Sequence, residues 1–165
     1  MTEVPRLYLD TNAFIFAVEE QSERSSLLTE LFSVSEEADR VMLVTSELTL
    51  AEVLVKPYRN LEDELITRYD NMIRNSAWLD VKPVARPALW YAGVLRSQTG
   101  IKLPDAIHLA TAFGSDCSHF LTADKALRTI GDLRHTRFGT AKMRSLEMVP
   151  LDVPTLTSLL QSLTS

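Results

Sequence analysis

The chain has 165 residues, 45% of them hydrophobic and 24% charged, with a formal net charge of −5. That length suits one domain able to bury roughly two-thirds of the surface its unfolded form exposes, so folding needs neither a disulfide nor a metal. No apolar stretch approaches the ~20 residues of a membrane span, residues 1–6 lack the basic start and apolar core of a secretory signal, and lone Cys117 cannot form an internal disulfide, so the expectation is a cytoplasmic globule without membrane contact.

The first apolar run, Leu7-Tyr8-Leu9, stops at Asp10-Thr11-Asn12. It reads as a buried strand that delivers a carboxylate to the C-terminal edge of a sheet, where open α/β sheets place their ligands. A short helix over 13–18 follows, then a longer one opening at Ser22-Glu23-Arg24-Ser25, with Leu27, Leu28, Leu31 and Phe32 on one face. Val41-Met42-Leu43-Val44 is the second strand. It leads through Thr45-Ser46 into a helix that carries Leu48, Ala51 and Leu54 and ends at Pro57. Residues 58–75 are expected as a helix with Leu61, Leu65, Ile66, Tyr69 and Ile73 inward, before a third strand near Trp78-Leu79-Asp80-Val81.

A helix over 88–99 stops at Gly100, a left-handed cap, and Pro104 opens a helix over 105–113. His119-Phe120-Leu121 is the next strand, ending at Thr122-Ala123-Asp124 before a brief helix over 125–130. The polar stretch 131–146 has no assignable element. Met148-Val149-Pro150-Leu151 is an edge strand, where proline is tolerated, and 155–163 a closing helix. Strands alternating with helices imply a single α/β domain over 1–165, its central, mainly parallel sheet flanked by helices on both faces.

Charge is uneven along this chain. Between Lys125 and Glu147 stand six basic and two acidic residues, a local +4 within a total of −5. Such a segment suits either a phosphate-bearing partner or a solvated loop.

Four acids begin helices that follow a strand or loop: Asp10, Glu52, Asp105 and Asp124. Each alone has a capping explanation. Asp10 and Asp124 can cap the helices after them, Thr49-Leu50-Ala51-Glu52 has capping-box spacing, and Asp105 complements a helix dipole. Jointly they say more, because topology brings Asp10 and Asp124 to one sheet edge and the other two can join them there. Four clustered carboxylates need compensating positive charge. Without a Cys or His cluster the donors are all oxygen, which suits Mg2+ or Mn2+ better than zinc.

The segments Tyr8-Leu9-Asp10-Thr11-Asn12, Ser46-Glu47-Leu48-Thr49-Leu50-Ala51-Glu52-Val53, Leu103-Pro104-Asp105-Ala106-Ile107-His108-Leu109-Ala110-Thr111-Ala112 and Phe120-Leu121-Thr122-Ala123-Asp124-Lys125-Ala126-Leu127, taken in order, resemble PIN-domain ribonucleases. Among these they resemble the VapC-type toxins of bacterial and archaeal toxin–antitoxin pairs. The resemblance implies a metal-dependent endoribonuclease with Asp10, Glu52, Asp105 and Asp124 at its site, a homodimer, and inhibition by a small antitoxin. The chain departs from the family pattern in its basic insertion at 131–146.

For hydrolysis of an RNA phosphodiester, Asp10 and Asp105 are the expected direct ligands of Mg2+ or Mn2+, since Mg2+ usually takes one or two carboxylates and keeps several waters. Glu52 and Asp124 would bind through water, hold a second ion or accept protons. Thr11, Asn12, Ser46 and Thr122 are candidates for holding those carboxylates by hydrogen bonds. Lys102, Lys125 and Arg128 are candidate phosphate contacts, or ordinary surface charges. His108 shares a helical face with Asp105 and is expected as a satisfied structural histidine, while Trp78, Trp90 and Tyr91 read as core or dimer contacts. Two other readings stand beside this one: a phosphatase or phosphotransferase with Asp10 as nucleophile, which Asn12 in place of a second acid disfavours, and a catalytically inactive module that binds RNA or protein.

Overall fold

The computed structural model describes residues 4–40, 42–127 and 146–165. Five strands, β1 (Leu7–Leu9), β2 (Leu43–Ser46), β3 (Leu79–Lys82), β4 (His119–Thr122) and β5 (Glu147–Pro150), form one sheet in the order β3-β2-β1-β4-β5. Every pairing is parallel, with Tyr8 opposite both Val44 and Phe120. Around it run α1 (Thr11–Glu19), α2 (Glu23–Glu37), α3 (Glu47–Arg59), α4 (Asp63–Met72), α5 (Arg86–Thr99), α6 (Leu103–Gly114) and α7 (Val153–Thr164). The α/β domain expected from the sequence is present, and among the described residues no helix is long and apolar enough to cross a membrane.

Leu7, Tyr8 and Leu9 are all fully buried, as a central strand covered on both faces requires. Their side chains alternate between two cores. Leu7, Leu9, Leu43, Leu79 and Leu121 pack with Phe14, Leu28, Leu31, Leu156 and Leu160 from α1, α2 and α7. Tyr8, Val44 and Phe120 face the other way, onto Ala92, Leu95, Ala106 and Leu109 from α5 and α6. Tyr8 and Phe120 stack with ring centroids 5.0 Å apart and planes 8° from parallel.

Several boundaries differ from the expectation, each for a tertiary reason. β2 lies later than 41–44, because its ladder with β3 continues through Thr45 and Ser46. Ser46, not Thr49, caps α3, its hydroxyl accepting from Leu48 N–H at 3.0 Å. Thr49 lies inside the helix and bonds Thr45, so Glu52 is freed from the capping-box role. Pro57 does not end α3, which runs two residues further. So near the C-terminus the proline removes a single helical hydrogen bond.

Nor does the following helix reach back to residue 58. Asn60, Leu61 and Glu62 close α3 in a Schellman turn, with Glu62 N–H donating to Pro57 C=O at 2.9 Å. Leu61, expected inward, takes the left-handed position (φ 55°) and is 83% exposed. Gly100 caps α5 at φ 69°, as its position predicts. Trp78 stacks on Phe32 against the core and Tyr91 meets Phe113 edge-on, whereas Trp90 is 41% exposed. Lys125 and Ala126 form a turn. Leu127 beside them is buried, and residues 128–130 of the helix expected there, Arg128 among them, and the basic insertion except Leu146 lie outside the described residues.

Candidate active site

Strand connections run outward in opposite directions from the β1–β4 pair, so a crevice opens beyond the C-terminal ends of those two strands. Asp10 follows β1 immediately, and its N–H donates to Leu121 C=O in β4 at 3.2 Å. The side chain is 7% exposed and caps α1, Oδ1 accepting from Ala13 N–H at 3.3 Å. Burial pushes its carboxyl up to about 6, against the opposing pull of the Thr122 hydroxyl, His108 and the Ala13 and Asn12 backbone N–H groups. The cap and the raised pKa coexist because these hydrogen bonds do not offset near-complete desolvation.

Asp105 sits half-buried in the first turn of α6. Its carboxyl is held above the usual range by burial first and then by the negative charges of Asp124 and Glu52, with His108 and Lys102 working the other way. Asp124, beyond β4, accepts Ala126 N–H at 2.8 Å and so shapes its own turn. Glu52, from the second turn of α3, accepts the Thr11 hydroxyl at 2.8 Å and His108 Nε2 at 2.5 Å, both on Oε1. Burial would raise its carboxyl, but the hydrogen bond and charge of His108, with the Thr11 hydroxyl, bring it below the usual range.

Asp105, Asp124 and Glu52 therefore share one electrostatic neighbourhood, and Asp10 is linked to it through His108, which acts on Asp10, Glu52 and Asp105 alike. Thr11 and Thr122 hold carboxylates there, Asn12 contributes its backbone N–H to Asp10, and Ser46 is taken up in capping α3. Lys102 and Lys125 are exposed at the rim. His108 is 3% exposed and lies inside the site's hydrogen-bond network, joining Glu52 to the Tyr8 hydroxyl. It is a satisfied histidine, as expected, but satisfied by a site acid. Its place on the Asp105 face of α6 and the alternation that turns Tyr8 toward α6 are the sequence signals that point to it.

Among the described residues no group of three or more His, Cys, Asp or Glu side chains is arranged to hold a metal ion. The donor set fits a hard cation differently. Mg2+ needs only one or two carboxylates and fills its octahedron with water. Asp10 is pushed up by burial alone, and Asp105 by burial and then by the charges of Asp124 and Glu52, so a cation here would relieve both. An apolar cleft of about 640 Å³ lies elsewhere, lined by residues such as Pro83, Ala88, Tyr91 and Phe113 and by none of the four acids.

Comparison with known structures places the fold. The VapBC2 complex from Rickettsia felis bound to a DNA fragment from its promoter aligns at TM-score 0.63, with 16% identity over 88% of this chain and 98% of that one. A toxin–antitoxin complex from Klebsiella pneumoniae aligns at 0.56, with 21% identity over 76% and 92%. Mycobacterium tuberculosis VapC20, a sarcin–ricin loop cleaving toxin, aligns at 0.55, with 16% identity over 69% and 86%. No curated protein sequence matches. A family profile described as the PIN domain matches residues 7–133, most of the chain, and the protein belongs to the PIN domain family.

Proposed function

We propose that this protein is a divalent-metal-dependent endoribonuclease and the toxin of a toxin–antitoxin pair. One observation carries the nuclease reading. Asp10, nearly buried and pushed up to about 6, shares the crevice with Asp105, which is itself raised by Asp124 and Glu52. A fold tolerates one desolvated carboxyl beside one crowded by like charges where a ligand relieves both, which is why shifted carboxyls mark candidate sites.

Asp10 and Asp105 are the residues that would hold Mg2+ or Mn2+ directly, with Glu52 and Asp124 acting through water or as proton acceptors. A bound ion would supply Lewis acidity toward the phosphodiester and its attacking water. The protein's own part is orientation. Asp10 is immobilised by the α1 cap and Thr122, and Glu52 by Thr11 and His108. Glu52 Oε2 is left to receive a proton. Lys102 and Lys125 at the rim attract the RNA backbone. Water as nucleophile leaves a 5′-phosphate and a 3′-hydroxyl.

The toxin role and a small antitoxin as partner are supported by the VapBC complexes, and RNA as substrate by the sarcin–ricin loop cleaving toxin, among the similar structures; a second copy of the chain as partner and the cytoplasm as place of action complete the reading. Purified protein is expected to cut RNA with Mg2+ or Mn2+, to stop with EDTA, and to lose activity in folded Asp10→Asn and Asp105→Asn. Cleavage that persists in EDTA overturns the nuclease reading. Expression of the chain alone is expected to arrest growth and a small neighbouring gene to relieve it; harmless expression removes the toxin role while leaving the nuclease intact.

A further inference from the structure

We propose that His108 is the positioning residue of this site: clamped at Nδ1 by the Tyr8 hydroxyl, it fixes Glu52 through Nε2 by one carboxylate oxygen and leaves the second outside that clamp. The chemical use of that oxygen rests on the ribonuclease reading; the clamp itself does not.

A glutamate on a helix surface has three side-chain torsions and samples many rotamers. Glu52 has its two hydrogen bonds on one atom, Oε1, from Thr11 at 2.8 Å and His108 Nε2 at 2.5 Å. His108 is itself immobilised. The ring is 3% exposed in the most buried stretch of α6 and lies edge-on to Tyr8, centroids 5.8 Å apart and planes at 66°. Tyr8 in turn stacks on Phe120, so the ring sits against two paired central strands.

The hydrogen toward Glu52 is fixed by its partner. An ionised carboxylate only accepts, so Nε2 carries a hydrogen toward Glu52. Nδ1 pairs with the Tyr8 hydroxyl at 2.6 Å, a group able to donate to it or accept from it, and the Thr11 hydroxyl, 3.4 Å from Nε2, donates to Glu52 instead. No buried side-chain polar atom among the described residues is left without a partner. A histidine needed only to fill the core could satisfy itself on its own helix. This one spans β1, α3 and α6, and its outward nitrogen ends on a carboxylate that is one-third exposed. Oriented partners behind a site carboxylate set its direction and basicity.

Three variants separate positioning from packing. His108→Gln keeps an amide donor near the Nε2 position, His108→Ala removes it, and Tyr8→Phe removes only the hydroxyl while preserving the stack on Phe120. In the metal-free protein, 15N imidazole spectra are expected to show Nε2 protonated. The 13C signal of the Glu52 carboxyl is expected to move in His108→Ala and to return toward wild type in His108→Gln. In RNA cleavage the Mg2+ concentration for half-maximal rate is expected to rise about 10- to 100-fold in His108→Ala, less in Tyr8→Phe, and to recover in His108→Gln. Should His108→Ala not fold, Tyr8→Phe and His108→Gln carry the same comparison. A packing role lowers the amount of folded protein but leaves the Mg2+ dependence of the surviving activity unchanged; that result, or an unmoved Glu52 signal in folded variants, overturns the proposal. If wild-type protein cuts no RNA, the ribonuclease reading falls, and the Glu52 signal alone decides whether His108 positions it.

Discussion

The Thr122 hydroxyl donates to the Asp10 carboxylate, and its oxygen accepts the Asp124 N–H at 3.0 Å. One fully buried residue thus ties together the acid-bearing loops that leave β1 and β4. Thr122→Val keeps the shape and removes both bonds. We expect it to cost about 1–3 kcal/mol, because it leaves the Asp124 N–H without its acceptor, and to push the Asp10 carboxyl higher still. Denaturant unfolding together with a shift of the acidic limb of cleavage to higher pH checks this.

Asp10→Asn should stabilise the metal-free protein while abolishing cleavage. Asparagine retains the N-cap acceptor for Ala13, and the desolvated charge is gone. The shift from 3.8 to about 6 corresponds to at most about 3 kcal/mol at neutral pH. Mg2+ is expected to raise the unfolding temperature of wild type and to leave that of Asp10→Asn unchanged. A variant less stable than metal-free wild type at pH 7 contradicts the account.

The pH dependence follows from the same group with a definite sign. The folded-state value of Asp10, about 6, exceeds its ordinary 3.8, so between these values the folded protein binds more protons than the unfolded chain. Its contribution to stability therefore falls as pH rises through that window and is flat above it. Metal binding needs the carboxylate and runs oppositely, with Mg2+-induced stabilisation and RNA cleavage declining below about pH 6. Thermal unfolding with and without Mg2+ across pH 4–8 separates the two trends, and Asp10→Asn should flatten both.

Away from the site, Leu61 occupies the left-handed position of the α3 Schellman turn with its side chain in solvent. A leucine there carries a strain of roughly 1 kcal/mol that glycine lacks, and its exposed side chain contributes little burial. Leu61→Gly is expected to raise stability by a few tenths to about 1 kcal/mol after the greater unfolded-state entropy of glycine is counted, with RNA cleavage unchanged. Chemical denaturation alongside the cleavage assay reads both.

Much of the architecture was legible because it is written in short-range pattern. Leu7-Tyr8-Leu9 running into Asp10, Gly100 closing α5, Pro104 opening α6 and Pro150 on an edge strand each follow from residues within one turn or one strand, where periodicity, backbone freedom and capping act. The parallel arrangement followed from the alternation of those elements, and with it the meeting of Asp10 and Asp124 at one edge. These the sequence determined by itself.

Other features were decided by packing between elements. Thr49 reads as a helix cap until the β2–β3 ladder extends through Ser46 and moves the cap there. Leu61 reads as inward until the α3–α4 turn claims it. His108 is one side chain on a helical face until α6 packs over β1 and α3, bringing together Tyr8, 100 residues away, and Glu52, 56 residues away. Local pattern specifies which face of an element is buried, but not which residue of a distant element stands opposite it. That depends on strand register and helix placement, which only the folded chain as a whole determines.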